Sequence, residues 1–144
     1  MPKLKRCGII YTCKTEQCSY LLVVRGRCGG IWSFPKGCKA PFETDEECAI
    51  RETLEETGLN VVIPKFTPSL CISGNVYFLL HTSYRLPLDV DLIKDKIEID
   101  EVQWIGIEQL KTMNCNKDLR RFLKKSSDPF TNLNDGMVNA NVET

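Results

Sequence analysis

The chain has 144 residues, which suits one domain built around one core. Lysine plus arginine equals aspartate plus glutamate at 19 each, so no global charge favours a polyanion, and a nucleic-acid partner would need a local basic patch. No stretch is long and apolar enough to span a membrane, and the opening Met-Pro-Lys-Leu-Lys-Arg-Cys lacks a signal peptide's apolar core, so a cytoplasmic protein is expected.

In chain order, residues 7–13 and 19–25 are rich in β-formers and read as strands. Gly29-Gly30 breaks the chain, and residues 31–34 read as a short strand ending at Pro35. Residues 37–43 read as a loop that leads into a helix over 44–57. Thr44 and Glu47 form a capping box at its start, and Gly58 supplies a left-handed end. Ile50, Thr53, Leu54 and Thr57 form a mixed stripe expected to face the core. Strands are expected over 59–63, 76–84 and 101–105, and helices over 107–113 and 118–125. The second of these carries Leu119, Phe122 and Leu123 on one side. Tyr11, Tyr77, Phe78 and Trp104 lie in strands and are expected in the core. Residues 1–126 form the expected domain. Residues 127–144 are polar and asparagine-rich and read as a disordered tail.

Eight cysteines occur, with no C-x-x-C pair, so neither a secreted disulfide framework nor a structural zinc site is indicated. They read as reduced thiols, most of them small hydrophobes in strand-like runs.

The chemistry concentrates in one run. Gly37, Glu43, Arg51, Glu52, Glu55, Glu56 and Gly58 stand in the spacing G-x5-E-x7-R-E-x-x-E-E-x-G. Chance assembly of such a set in a chain this long is on the order of 10⁻⁷. Glu52, Glu55 and Glu56 fall at i, i+3 and i+4, so on a helix the three carboxylates share a face and repel one another. A divalent cation would relieve that repulsion, and hard oxygen donors suit Mg²⁺ or Mn²⁺ bridging to substrate phosphates.

This pattern resembles the signature of the Nudix hydrolases, with every fixed position filled. The resemblance implies an α/β/α sandwich with a central mixed sheet, and metal-assisted hydrolysis of a diphosphate linkage in a nucleotide-containing substrate. It further implies that Glu55 and Glu56 ligate metal, that Glu52 ligates metal or acts as general base, and that Gly37 offers its carbonyl to the metal. Arg51, counted with Glu52 and Glu56 in the catalytic set, would with Glu43 brace the loop against the helix.

Flanking residues bear on the substrate. Trp32-Ser33-Phe34-Pro35-Lys36-Gly37 resembles the W-x-F-P-K-G that precedes the box in mRNA decapping enzymes and in some diadenosine tetraphosphate and diphosphoinositol polyphosphate hydrolases. Glu47-Cys48-Ala49-Ile50-Arg51-Glu52 and the run from Lys96 to Trp104 also look like the decapping family. There Glu98 matches a metal-binding glutamate; a solvated charge beside Asp100 and Glu101 is the competing reading. Lys36 and Lys39 are expected to touch substrate, with Cys38 where decapping enzymes often have lysine. Capped RNA is therefore the expected substrate, and a dinucleoside polyphosphate or diphosphoinositol polyphosphate is the alternative. A Nudix module that only binds nucleotide is a further alternative of another class. Arg120, Arg121, Lys124 and Lys125 form a basic cluster that could steer RNA, or a solvated helix face.

Overall fold

The computed structural model describes residues 4–125. The expected tail over 127–144 therefore lies outside the described residues. The described residues build a seven-stranded mixed sheet. Strands β1 (Arg6–Lys14), β2 (Ser19–Gly26) and β6 (Asn75–Thr82) form its centre. β1 runs antiparallel to β2 and parallel to β6 along seven residue pairs, Cys7–Val76 through Cys13–Thr82. β3 (Trp32–Ser33) and β7 (Ile99–Gly106) pair with β2, β4 (Lys36–Cys38) pairs with β1, and β5 (Ser69–Ile72) pairs with β6.

The strand residues alternate between the two faces of the sheet, as the two-residue period of a strand requires, with Leu22 and Val24 of β2 joining Ile93, Ile99 and Val102 in a cluster of their own. Ile10, Leu21, Val23, Tyr77 and Leu79 face one core with α2 (Ile107–Leu110) and α3 (Lys117–Lys124). Cys7, Ile9, Phe78 and Leu80 face the other with Cys48 and Ala49 of α1 (Asp45–Thr57). Covered on both faces, the central strands read as continuous apolar runs rather than polar alternations. The α/β expectation holds.

Several expectations need correction. Residues 59–63 are not a strand. Leu59, Val61 and Ile63 instead pack against the Cys48–Phe78 core as coil, and among the described residues no strand pairs with them. The 37–43 segment is not all loop, because Lys36–Cys38 pairs with β1. β5 was not legible as a strand; it joins β6 through Ser73 and Gly74, both at positive φ (54° and 81°), which is tight-hairpin geometry. The 107–113 helix stops at Leu110. Tyr77 and Phe78 are buried, whereas Tyr11 and Trp104 are only half-buried and meet edge-to-face.

Candidate active site

Helix α1 is fixed at both ends by the chemistry its sequence announces. Thr44 accepts from the Glu47 amide at 3.1 Å while Glu47 accepts from the Thr44 amide at 2.9 Å. Such a cap stabilises a helix by about 1 kcal/mol. Gly58 closes the helix at φ 78°, and a Cβ there would lie 2.5 Å from that of Leu92. The buried face differs from the expected stripe. Cys48, Ala49, Thr53, Glu56 and Thr57 are buried, while Ile50 and Leu54 are half-covered. Glu56 thus lies at the core's margin, with 6% of its surface exposed.

Arg51 ties the preceding loop to the helix. Its guanidinium forks onto Glu43 at 2.6 and 2.8 Å and donates to the Cys38 carbonyl at 3.1 Å. Glu43 also accepts from the Ala40 amide at 2.9 Å. The Arg51 hydrogen bonds, joined by the Ala40 amide, hold the Glu43 carboxyl down to about 2. The other edge of the guanidinium reaches Glu52 Oε1 at 2.8 Å and Glu55 at 3.3 Å.

Gly37 sits against the Glu52 carboxylate, and a Cβ there would lie 2.0 Å from Glu52 Cδ. Its carbonyl accepts from the Cys48 thiol at 3.5 Å. Gly8, on the paired strand β1, is needed for a similar reason, since a Cβ on it would lie 2.1 Å from the Pro35 carbonyl oxygen. Pro35–Lys36 can therefore lie directly over β1, and the Lys36 amide donates to Glu56 Oε1 at 3.1 Å.

The facing wall comes from residues 94–98. The Lys94 and Asp95 amides both donate to the Glu55 carbonyl at 2.9 Å, docking this loop on the end of α1. The Glu98 carbonyl accepts from the Arg27 amide at 2.7 Å. Glu56, Asp95 and Glu98 thereby bring one carboxylate oxygen each within 4.8 Å of one another. Burial pushes the Glu56 carboxyl up to about 8, opposed by the Lys36 amide and the Lys36 charge. Burial likewise raises Glu52, opposed by Arg51. A divalent cation among these oxygens would favour their ionised forms. The donor set, all carboxylate oxygen with one member buried, fits a hard cation.

These groups line one cleft of about 740 Å³. It brings together Lys36, Gly37, Glu52, Glu55, Glu56 and Glu98. Lys39 lies outside its lining, with its ammonium 3.7 Å from Asp45. Arg51 also stands behind the lining. Sequence reasoning missed Asp95, whose only signal is its i, i+3 spacing from Glu98, and Gly8, a glycine inside a β-rich run. It also missed a second group in the lining: Arg6, Ser73, Asn75, Lys117 and Asp118.

Comparisons with known proteins agree with this geometry. The NUDIX domain family model matches residues 1–126. The mRNA-decapping enzyme subunit 2 of Arabidopsis thaliana is 54% identical over 46 residues, covering 32% of this chain and 12% of that protein. The mRNA decapping complex subunit 2 of Schizosaccharomyces pombe is 30% identical over 116 residues, covering 78% of this chain and 15% of that protein. The chain thus spans a small fraction of the length of these relatives. The NUDIX domain of Shewanella oneidensis NrtR, solved with ADP ribose, superposes with a TM-score of 0.67 at 17% identity, covering 86% of each chain. A Caenorhabditis elegans Ap4A hydrolase superposes at 0.63 and 20% identity, covering 93% of this chain and 99% of that one. From the box on α1 through the sheet that carries it, the chain belongs to the NUDIX domain family.

Proposed function

We propose that this chain is a metal-dependent hydrolase of a diphosphate linkage in a nucleotide-containing substrate, and that the substrate is the 5′ cap of mRNA. The observation that carries the reaction class is the placing of Glu52, Glu55, Glu56, Asp95 and Glu98 in one cleft with Lys36. Lys36 has no ion pair among the described residues, so its charge is available for a phosphate. The choice of cap rests on the two decapping relatives and on the Trp32–Gly37 and Glu47–Glu52 runs.

Glu55, Glu56, Asp95 and Glu98, with the Gly37 carbonyl, would hold Mg²⁺ or Mn²⁺. A cation there would neutralise charge building on the phosphate oxygens and make bound water more acidic. Glu52 is assigned the proton. Arg51 occupies its Oε1 at 2.8 Å, while Oε2 has no hydrogen bond among the described residues and is the atom to accept it. Burial raises this carboxyl above its ordinary value, opposed by Arg51. Arg51 and Glu43 hold the loop so that Gly37 and Glu52 keep their contact. Lys36 is assigned to a substrate phosphate.

The test is a substrate panel with Mg²⁺ or Mn²⁺: capped RNA, diadenosine tetraphosphate, diphosphoinositol phosphates, nucleoside triphosphates and nucleotide sugars. Faster release of a methylated guanosine diphosphate from capped RNA than turnover of any other member is expected. Faster diadenosine tetraphosphate cleavage would replace the cap as substrate. Binding without product from any member would point to a module that only binds nucleotide.

A further inference from the structure

Asp95 and Glu98 stand on a turn just before β7, facing the carboxylates of α1. Like charges repel across that gap. Burial raises the Glu52 and Glu56 carboxyls, and the Asp95 charge raises both further. The turn must therefore be held in place against α1 before any cation binds. Its first end is anchored by the Lys94 and Asp95 amides on the Glu55 carbonyl. The turn closes on itself, with the Glu98 amide donating to Asp95 Oδ1 at 3.2 Å and the Ile99 amide to the Asp95 carbonyl at 3.1 Å. Its far end is held from β2. The Arg27 amide donates to the Glu98 carbonyl at 2.7 Å, and Arg27 Nε donates to the Lys96 carbonyl at 3.0 Å. Among the described residues, no other side chain from outside the turn hydrogen-bonds to residues 95–98.

The register of β2 and β7 brings Arg27 to that place. Gly26 pairs with Ile99 and Arg25 with Glu101, so Asp100 is an extra residue on β7. A bulge of this kind bends its strand and re-aims the side chains beside it. Arg25 fixes the bulge, donating to Asp100 Oδ1 at 2.9 Å while its guanidinium lies 5.7 Å from the centre of the Trp32 ring. Any residue but proline at position 27 would keep the amide bond to Glu98. What the Arg27 side chain adds is the bond to Lys96 and a positive charge beside a turn that carries two carboxylates. We infer that Arg27 is a positioning residue, whose guanidinium clamps the 95–98 turn against repulsion from α1 and so places Asp95 and Glu98 in advance for a divalent cation. Ligands placed in advance bind more tightly, because less order has to be imposed on binding. This inference rests on the metal-dependent reading of the cleft for the ion that fills it.

The test reads metal binding, so it does not depend on turnover. The full chain, wild type beside Arg27→Ala and Arg27→Lys, is titrated with Mn²⁺, and free Mn²⁺ is followed by electron paramagnetic resonance. Arg27→Ala should bind Mn²⁺ about 10-fold more weakly, whereas Arg27→Lys, which keeps a charge and a donor for the Lys96 carbonyl, should stay within about threefold of wild type. Melting temperatures in EDTA should match across the three proteins, because Arg27 is exposed. Wild-type Mn²⁺ affinity in Arg27→Ala would overturn the clamp and leave the metal site standing. Arg27→Lys as weak as Arg27→Ala would overturn it too, as would weaker binding that tracks a lowered melting temperature in EDTA. Clamp-dependent Mn²⁺ binding without turnover of any panel substrate would support the clamp and remove the hydrolase reading. No Mn²⁺ binding by the wild type would remove both.

Discussion

The two halves of the cleft are built in opposite ways. The carboxylate half is local: Glu52, Glu55 and Glu56 come from one turn and a half of α1, and Arg51 and Gly37 reach them from within 20 positions. The half around Asn75 and Asp118 is assembled across 43 positions, from a hairpin turn and the first turn of another helix. In the local half Glu52 and Glu55 are half-open and Glu56 is buried, whereas Asn75 and Asp118 are both buried and hydrogen-bonded to each other. The first suits a cation and moving protons, and the second suits holding α3 against the β5–β6 hairpin. Substitutions in the first should therefore change turnover at little cost to folding, whereas substitutions in the second should change both.

The largest expected effect comes from Glu56→Gln, which keeps shape but removes a charge beside Asp95 and Glu98. Turnover should fall at least ~10²-fold with Tm little changed. Steady-state rates and a melting curve check it, and near wild-type turnover would place the metal elsewhere.

A paired comparison of glycines sharpens the contrast. At Gly37 an added Cβ meets a movable carboxylate, 2.0 Å from Glu52 Cδ, whereas at Gly8 it meets the Pro35 backbone oxygen at 2.1 Å. Gly37→Ala should displace Glu52 and cost ~10-fold or more in kcat with modest loss of stability. Gly8→Ala should instead lower stability by about 2–3 kcal/mol, since backbone must move. Chemical denaturation beside kcat separates the two, and equal stability losses would break the contrast.

Glu43→Gln is expected to act next. It weakens the Arg51 fork and should cost ~1–3 kcal/mol, with a smaller loss of kcat than Glu56→Gln. The folded carboxyl, at about 2, lies below its unfolded value of roughly 4.3. Its contribution is thus present above pH ~4.3 and lost as pH falls through about 2. Tm measured across that window should drop less steeply for the variant than for the wild type. Identical slopes would deny Glu43 its bracing role.

The smallest effect should come from Lys124→Ala and Lys125→Ala, exposed at the C-terminal end of α3. Each should slow capped-RNA cleavage by no more than about threefold at low salt, with the difference vanishing as salt rises. Arg121 already donates to Ser73 at 2.7 Å, so the cluster is partly committed to the fold.

The same contrast explains what the sequence revealed. Helix α1 was legible to within a residue, because Thr44, Glu47 and Gly58 act on neighbours a few positions away. β1, β2 and β6 were legible from apolar runs long enough to stand on their own, and β7 only in part, as a short strand over 101–105. Residues 59–63 misled because an alternating apolar run packs as well in coil as in a strand, and only an available sheet edge decides. Glu56 was placed with the carboxylates, but its burial depends on Pro35–Lys36 folding over β1, which Gly8 permits 48 positions earlier. Asp95 reaches the acidic group only because its amide docks on the Glu55 carbonyl. Nothing local marks Asn75 or Asp118.

If the carboxylate half cleaves a diphosphate linkage, it does so with a divalent cation. Release of methylated guanosine diphosphate from capped RNA, followed in excess EDTA and again after Mg²⁺ or Mn²⁺ is restored, tests it most directly. No product is expected in chelator, with full recovery on adding back either cation. Undiminished release in EDTA would contradict it.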